Sequence, residues 1–269
     1  MKNRILAIAF ALLPLSASAA FDHSHAAWSA LLKQHVVLID GGKTSQVDYA
    51  AVAKERAALQ AYLDSLSAVT RAQFDSWTKP QQLAFLINAY NGFTVELILG
   101  KYPDLTSIRD LGNIIFNSPW KRKFFTLFGE PRHLDWIEHD TIRKPGAYDD
   151  PRIHFAVNCA SVGCPMLREE AFVAERLDAQ LEEQTRRFLA DRSRNRYQPA
   201  TQTLAVSEIF KWYGKDFERK LPGSSSLKQF LGNYADLLAS APSDQAKVRQ
   251  GQAEIDYIDY DWALNGVKR

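Results

Sequence analysis

The stretch from Thr78 to Pro103, TKPQQLAFLINAYNGFTVELILGKYP, limits the possible folds more than any other part of the chain. Thr78 followed three residues on by Gln81 forms a capping box, and Pro80 sits in the first turn, where its missing N–H does no harm. From Leu83 to Leu99 the residues are apolar nearly all round a helical wheel. A helix without a polar face must be covered on every side, so it belongs at the centre of a core. Gly100 and Pro103 mark its end. Asn88 and Asn91 interrupt the apolar surface three residues apart, hence on one face. Buried carboxamides need partners, because an unpaired polar group costs roughly 1–3 kcal/mol. They either tie a neighbouring segment to the helix or line a pocket.

Around this helix the pattern predicts further helices over HAAWSALLKQHV, AAVAKERAALQAYLDSL, DWIEHDTIRK (capped by Asp135), REEAFVAERLDAQLEEQTRRFLADR, SEIFKWYGKDFER (Ser207 as N-cap) and SSSLKQFLGNYADLL. In the fourth of these, Val173, Leu177, Leu181 and Phe188 form a stripe at helical spacing. Strands are predicted in SQVDY, RIHFAVNC, TLAVS and AEIDYIDYDWALN, with a hairpin around Gly129-Glu130. The alternation in WKRKFF, Trp120 to Phe125, reads as an edge strand with a solvated face. The expected fold class is mixed α/β (α+β): a single domain, predominantly helical around a small sheet, with a central buried helix. No linker-like composition, repeat or low-complexity run divides it.

The chain opens MKNRILAIAFALLPLSASAAF, with Lys2 and Arg4 ahead of an apolar run from Ile5 to Leu15 and the small residues Ala17-Ser18-Ala19. That is the layout of a signal peptide over residues 1–20, with an apolar run too short to span a bilayer. The expectation is an exported protein, periplasmic or secreted, whose single domain covers 21–269 and does not insert in the membrane after cleavage. The whole chain carries 33 Lys and Arg against 31 Asp and Glu, and losing Lys2 and Arg4 balances the two. A neutral chain gives no electrostatic reason to expect nucleic acid as a partner. No phosphate-cradling or dinucleotide glycine motif is present, so no cofactor is expected.

Both cysteines fall in one short stretch, HFAVNCASVGCP, from His154 to Pro165. Strand parity would put Ile153, Phe155, Val157 and Cys159 on one face and His154, Ala156 and Asn158 on the other. Cys159 then points away from His154, which weakens a direct pairing of the two. Cys159 and Cys164 are close enough in sequence for a disulfide, which persists in an exported protein. So short a loop would stabilise the fold by only about 2 kcal/mol. A nucleophilic Cys159 and a pair of inert thiols remain open beside it. A zinc site from His154, Cys159 and Cys164 matches no compact zinc spacing, and no metal is expected. In IEH, Glu138 and His139 are adjacent, but neighbours on a helix diverge by about 100° and need not pair.

The ordered blocks FLINAYNGFTV, LDWIEHDTIR, DPRIHFAVNCASVGCPML, SEIFKWYGKDF and YDWALN together resemble the family of domains of unknown function numbered 547. The resemblance covers roughly Thr78 to Asn265, a family-like core of about 78–265. It implies that Asn88, Asn91, Glu138, His139, His154 and Cys159 lie near one another. By chemical analogy such a cluster suits a Cys–His–Asn site. Two readings follow. One is a binding or structural domain with a buried polar network and a Cys159–Cys164 disulfide. The other is a cysteine hydrolase or acyltransferase, with Cys159 as nucleophile, His154 or His139 as base, and Asn88, Asn91 or Glu138 orienting that base.

Overall fold

The chain begins, in the computed structural model, with α1 (Ala26–His35), a β1–β2 hairpin (Val36–Ile39 and Thr44–Val47) and three short helices, α2 (Tyr49–Lys54), α3 (Arg56–Ser67) and α4 (Arg71–Ser76). The structure describes residues 20–112, 118–218 and 226–268, so the expected leader lies outside the described residues except for Ala20. The apolar helix follows as α5 (Lys79–Leu99). Its capping box is formed: Gln81 N–H donates to Thr78 Oγ1 at 3.4 Å, and Thr78 N–H to Gln81 Oε1 at 3.0 Å. From Gln82 to Leu99 every residue but Glu96 is buried. The helices α2 and α3 pack on it, as do the turns at Trp136–Ile142 and Ala174–Arg176. Gly92 permits the close approach of α3, since a Cβ there would sit 3.1 Å from Leu63 Cδ2.

Beyond α5 come a hairpin, β3 (Phe125–Leu127) and β4 (Glu130–Arg132), and a π-helical turn over Trp136–Ile142. The hairpin turns at Phe128-Gly129, both with positive φ, one residue earlier than expected. Of WKRKFF only Phe125 joins a strand, while Pro119–Lys121 is a 3₁₀ turn. The π-helical turn is entered through His133, whose Nδ1 accepts the Trp136 N–H at 3.0 Å; Asp135 makes no capping bond.

The segment RIHFAVNC is not a strand. Pro151–Phe155 is a 3₁₀ helix, and Ile153 through Asn158 are all buried. The physical reason is its position between two cores. Ile153, Ala156 and Val157 belong to the core around α5. Phe155 belongs to a second core, where it meets Phe188, Phe210, Phe217 and Phe230. A segment covered on both sides has no solvent face, so the period-of-two reading fails. Each fully buried Phe stabilises the fold by roughly 1.5–3 kcal/mol.

The second core is built by α6 (Leu177–Ala190), by a sheet of β5 (Arg196–Gln198), β6 (Thr203–Ser207) and β7 (Glu254–Ile258), and by α7 (Ile209–Trp212), α8 (Gly214–Phe217), α9 (Leu227–Gly232), α10 (Ala235–Leu238) and α11 (Pro242–Arg249). Val173 is extended and lies before α6, so the expected stripe begins at Leu177. The N-cap of α7 is Glu208, which makes no side-chain capping bond; Ser207, expected as the cap, lies one residue earlier, and its hydroxyl accepts Ile209 N–H at 3.3 Å. Strand β6 pairs antiparallel with β5 and parallel with β7. The class is mixed α+β as expected, but among the described residues the strands form three separate small sheets of two, two and three strands.

After β7 the tail crosses back to the first core. Ser161 pairs with Leu264 and Val47 with Gly266. The N–H groups of Val162 and Gly163 donate to Ala263 O and Asp261 O, both at 2.8 Å. This tail stitches the two cores together along the cysteine loop. No described helix is long and apolar enough to cross a membrane.

Candidate functional site

Where the two cores meet, a cleft of about 410 Å³ opens. Four of the six residues expected to cluster line it: Glu138, His139, His154 and Cys159, with Cys164 beside them. Asn88 and Asn91 do not. Each clamps backbone instead. Asn88 donates to Phe172 O at 2.7 Å and accepts Phe172 N–H at 3.0 Å. Asn91 donates to Ala156 O at 2.9 Å and accepts Asn158 N–H at 2.8 Å. The second clamp holds the strip of chain that delivers Cys159.

Two more asparagines shape the loop itself. Asn158 donates to Pro165 O at 2.7 Å and accepts Ala160 N–H at 2.9 Å, closing the loop on its own base. Asn265 from the tail donates to Asn158 Oδ1 at 3.4 Å and accepts the Tyr49 hydroxyl at 2.7 Å. Gly163 lets the tail lie close, because a Cβ there would meet Asp261 N at 2.9 Å and Asp261 O at 3.0 Å.

The expected disulfide is not formed. Cys159 and Cys164 are free thiols with their sulfurs 2.9 Å apart, well beyond the ~2.0 Å of an S–S bond. The two differ in setting. Cys159 is half-buried, and Cys164 is buried. Cys159 Sγ lies 3.1 Å from Ser161 Oγ and 3.2 Å from the Tyr260 hydroxyl, which are 2.9 Å from each other. Cys159 N–H donates to Cys164 Sγ at 2.9 Å. Hydrogen bonding from Cys164, then from Ser161 and Tyr260, outweighs burial and lowers the Cys159 thiol to about 7. Burial and the adjacent Cys159 push Cys164 the other way, well above the ordinary thiol range.

The imidazoles are engaged elsewhere. His154 is buried, stacks on Tyr213 with ring centroids 4.0 Å apart, and places Nε2 2.8 Å from Asp216 Oδ2. Burial lowers the His154 pKa despite Asp216, so its ring is neutral near pH 7. Asp216 also accepts from Arg143 Nε at 2.6 Å. Burial opposes its ionisation, but hydrogen bonds from His154 and Arg143 hold it far below the usual carboxylate range. Arg143 reaches His139 Nδ1 at 2.5 Å, and His139 Nε2 lies 3.7 Å from Asp135. Glu138, buried, is hydrogen-bonded by Tyr213, whose pKa is raised by its burial and by that carboxylate. No imidazole nitrogen lies within hydrogen-bonding reach of Cys159 Sγ among the described residues. The Cys–His–Asn relay that analogy suggested is therefore not assembled.

The remaining walls are aromatic. Trp212, Tyr260 and Trp262 form a cluster with centroid distances of 4.5–5.7 Å, and Trp120 meets Trp262 edge-on at 6.0 Å. Among the described residues no group of three His, Cys, Asp or Glu converges to hold a metal ion.

Sequence reasoning did not single out Ser161, Tyr213, Asp216, Tyr260 or Trp262. The signal for two of them is in the pattern. Ile209, Tyr213 and Asp216 follow helical spacing, which puts an acid on a buried face. Residues 74–189 match the family model described as "Protein of unknown function, DUF547". No curated protein and no solved structure matches the chain.

Proposed function

We propose that this chain, a member of the DUF547 family through its residues 74–189, acts through Cys159 as a thiol nucleophile on a small molecule held in the interdomain-like seam between its two cores. One observation carries the reading. Cys159 Sγ stands in the wall of a ligand-sized cleft with Cys164, Ser161 and Tyr260 all within hydrogen-bonding distance. A thiolate stabilised by fixed donors needs no neighbouring base to become nucleophilic. The cleft volume is within the ~300–1,000 Å³ usual for small-molecule sites. Trp212, Tyr260 and Trp262 supply stacking faces for a planar or ring-bearing ligand. Glu138 with Tyr213, and neutral His154 held by Asp216, are the groups that would orient that ligand or move its protons. Asn88 and Asn91 serve as scaffold. The leader-like first twenty residues support a soluble protein acting outside the cytoplasm.

The test compares two chloroacetamides, one bearing an aromatic ring and one aliphatic, on the fully reduced protein. Cys159 is expected to react with the aromatic probe about tenfold faster, the worth of roughly 1.4 kcal/mol of stacking. Trp262→Ala should remove most of that preference. Equal rates for both probes in the parent protein, or no reaction at Cys159, would count against the reading.

A further inference from the structure

Resting on that reading of Cys159, we propose that Cys159 and Cys164 form a redox couple that exchanges with small organic disulfides entering the cleft, Cys159 attacking and Cys164 resolving. Three features of the geometry lead there. The first is contact: the sulfurs are 2.9 Å apart, so bond formation needs them to close by only about 1 Å. The loop that carries them is braced by Asn91, Asn158 and the tail, and need not unfold for that closure.

The second feature is asymmetry. Both thiols line the cleft, but Cys159 is half-buried while Cys164 is only 6% exposed. An incoming disulfide therefore meets Cys159 first. The Cys159 N–H directed at Cys164 Sγ would steady negative charge there as that thiol loses its proton.

The third is the missing imidazole. Acyl transfer has to protonate a poor leaving group, and no His nitrogen is placed at Cys159 to do so. Thiol–disulfide exchange expels a thiolate, which leaves without prior protonation. The aromatic walls and the volume of the cleft suit an organic disulfide.

In the first step the Cys159 thiolate attacks one sulfur of RSSR. The S–S bond breaks, RS⁻ departs, and a Cys159–SR mixed disulfide remains. Cys164 then gives up its proton to the departing RS⁻, making RSH, and its sulfur attacks Cys159 Sγ. The second RS⁻ leaves and is protonated by solvent with the proton equivalent to that of the original Cys159 thiol. In total RSSR and two protein thiols become two RSH and one intramolecular disulfide. Excess RSH reverses the sequence.

The experiment incubates the full chain, reduced and then freed of reductant, with oxidised glutathione and reads intact mass and thiol count, with alkylation by iodoacetamide as a parallel readout. The wild type is expected to lose both thiols without retaining glutathione and to regain them in excess reduced glutathione. Cys164→Ser, and Cys164→Ala as a second variant, should trap one glutathione on Cys159; Cys159→Ser should take up none.

Accumulation of glutathione on wild-type Cys159 without closure would show that Cys164 does not resolve, and would overturn the proposal. A wild-type disulfide that excess reduced glutathione cannot open would make the pair a static bridge, with the same consequence. If Cys164→Ser alkylates at Cys159 but takes no glutathione, the exchange fails and the nucleophile reading survives. If wild-type Cys159 neither alkylates nor takes glutathione, both fail.

Discussion

Cys159 and Cys164 are the same residue type, five positions apart, and the fold gives them opposite characters. The difference is made by three groups at contact distance: the Cys164 thiol, the Ser161 hydroxyl and the Tyr260 hydroxyl. Removing one of them should therefore be measurable on the thiol itself. Tyr260→Phe keeps the ring against Trp212 and Trp262 but deletes the hydroxyl. It is expected to raise the midpoint of Cys159 alkylation against pH by about one unit, the equivalent of a hydrogen bond to a charged group worth roughly 1.5 kcal/mol. An unchanged midpoint would mean that Tyr260 does not stabilise the thiolate. At this scale the family resemblance implied that Asn88, Asn91, Glu138, His139, His154 and Cys159 lie near one another, and the last four do line one cleft. The sequence concealed their partners. Tyr260 lies about a hundred residues away from Cys159, and only the tail's return path brings it there.

The elements that make the site are a loop and a tail, neither of which has a strong periodic signal. A helix such as α5 announces itself through its cap and its apolar run, and it was legible almost to the residue. The strip RIHFAVNC looked like a strand because its apolar residues alternate. It is a 3₁₀ turn because Ile153 and Val157 enter one core while Phe155 enters the other. Local alternation cannot reveal that a segment is covered on both sides. The junction of loop and tail has one vulnerable point. At Gly163 an added methyl would press on the Asp261 backbone at 2.9–3.0 Å, and backbone cannot rotate out of the way. Gly163→Ala is expected to cost about 1–3 kcal/mol, read as a lower urea midpoint. The same variant should raise the Cys159 alkylation midpoint, because the displaced tail carries Tyr260 away. Lost stability with an unmoved midpoint would separate the tail from the thiol.

For the whole molecule, the mixed α+β class and the central helix followed from patterning, whereas the division into two cores did not. The second core gathers its aromatic residues from Phe155 to Tyr234, across several elements, and no single segment shows that they meet. Global stability also holds a titration that the sequence cannot show. His25 is buried against Tyr62, its Nδ1 2.8 Å from the hydroxyl, and burial lowers it from 6.5 to about 4. The unfolded chain therefore binds a proton that the folded one refuses between those values. Stability from this group is fully present above about pH 6.5 and is lost as the pH falls toward about 4. The loss is of order 3 kcal/mol at about 1.4 kcal/mol per unit. Urea melts between pH 7 and 4 should show that decline, and His25→Gln should flatten it. A parent protein equally stable across the range would refute the assignment.

The most direct test of the central claim is the rate of iodoacetamide alkylation of the reduced protein against pH, resolved by peptide mapping into Cys159 and Cys164. The structure predicts that Cys159 reacts with a midpoint near 7 while Cys164 stays unlabelled in the folded state. Labelling of Cys164 as fast as Cys159, or a Cys159 midpoint at the ordinary thiol value of about 8.5, would contradict it.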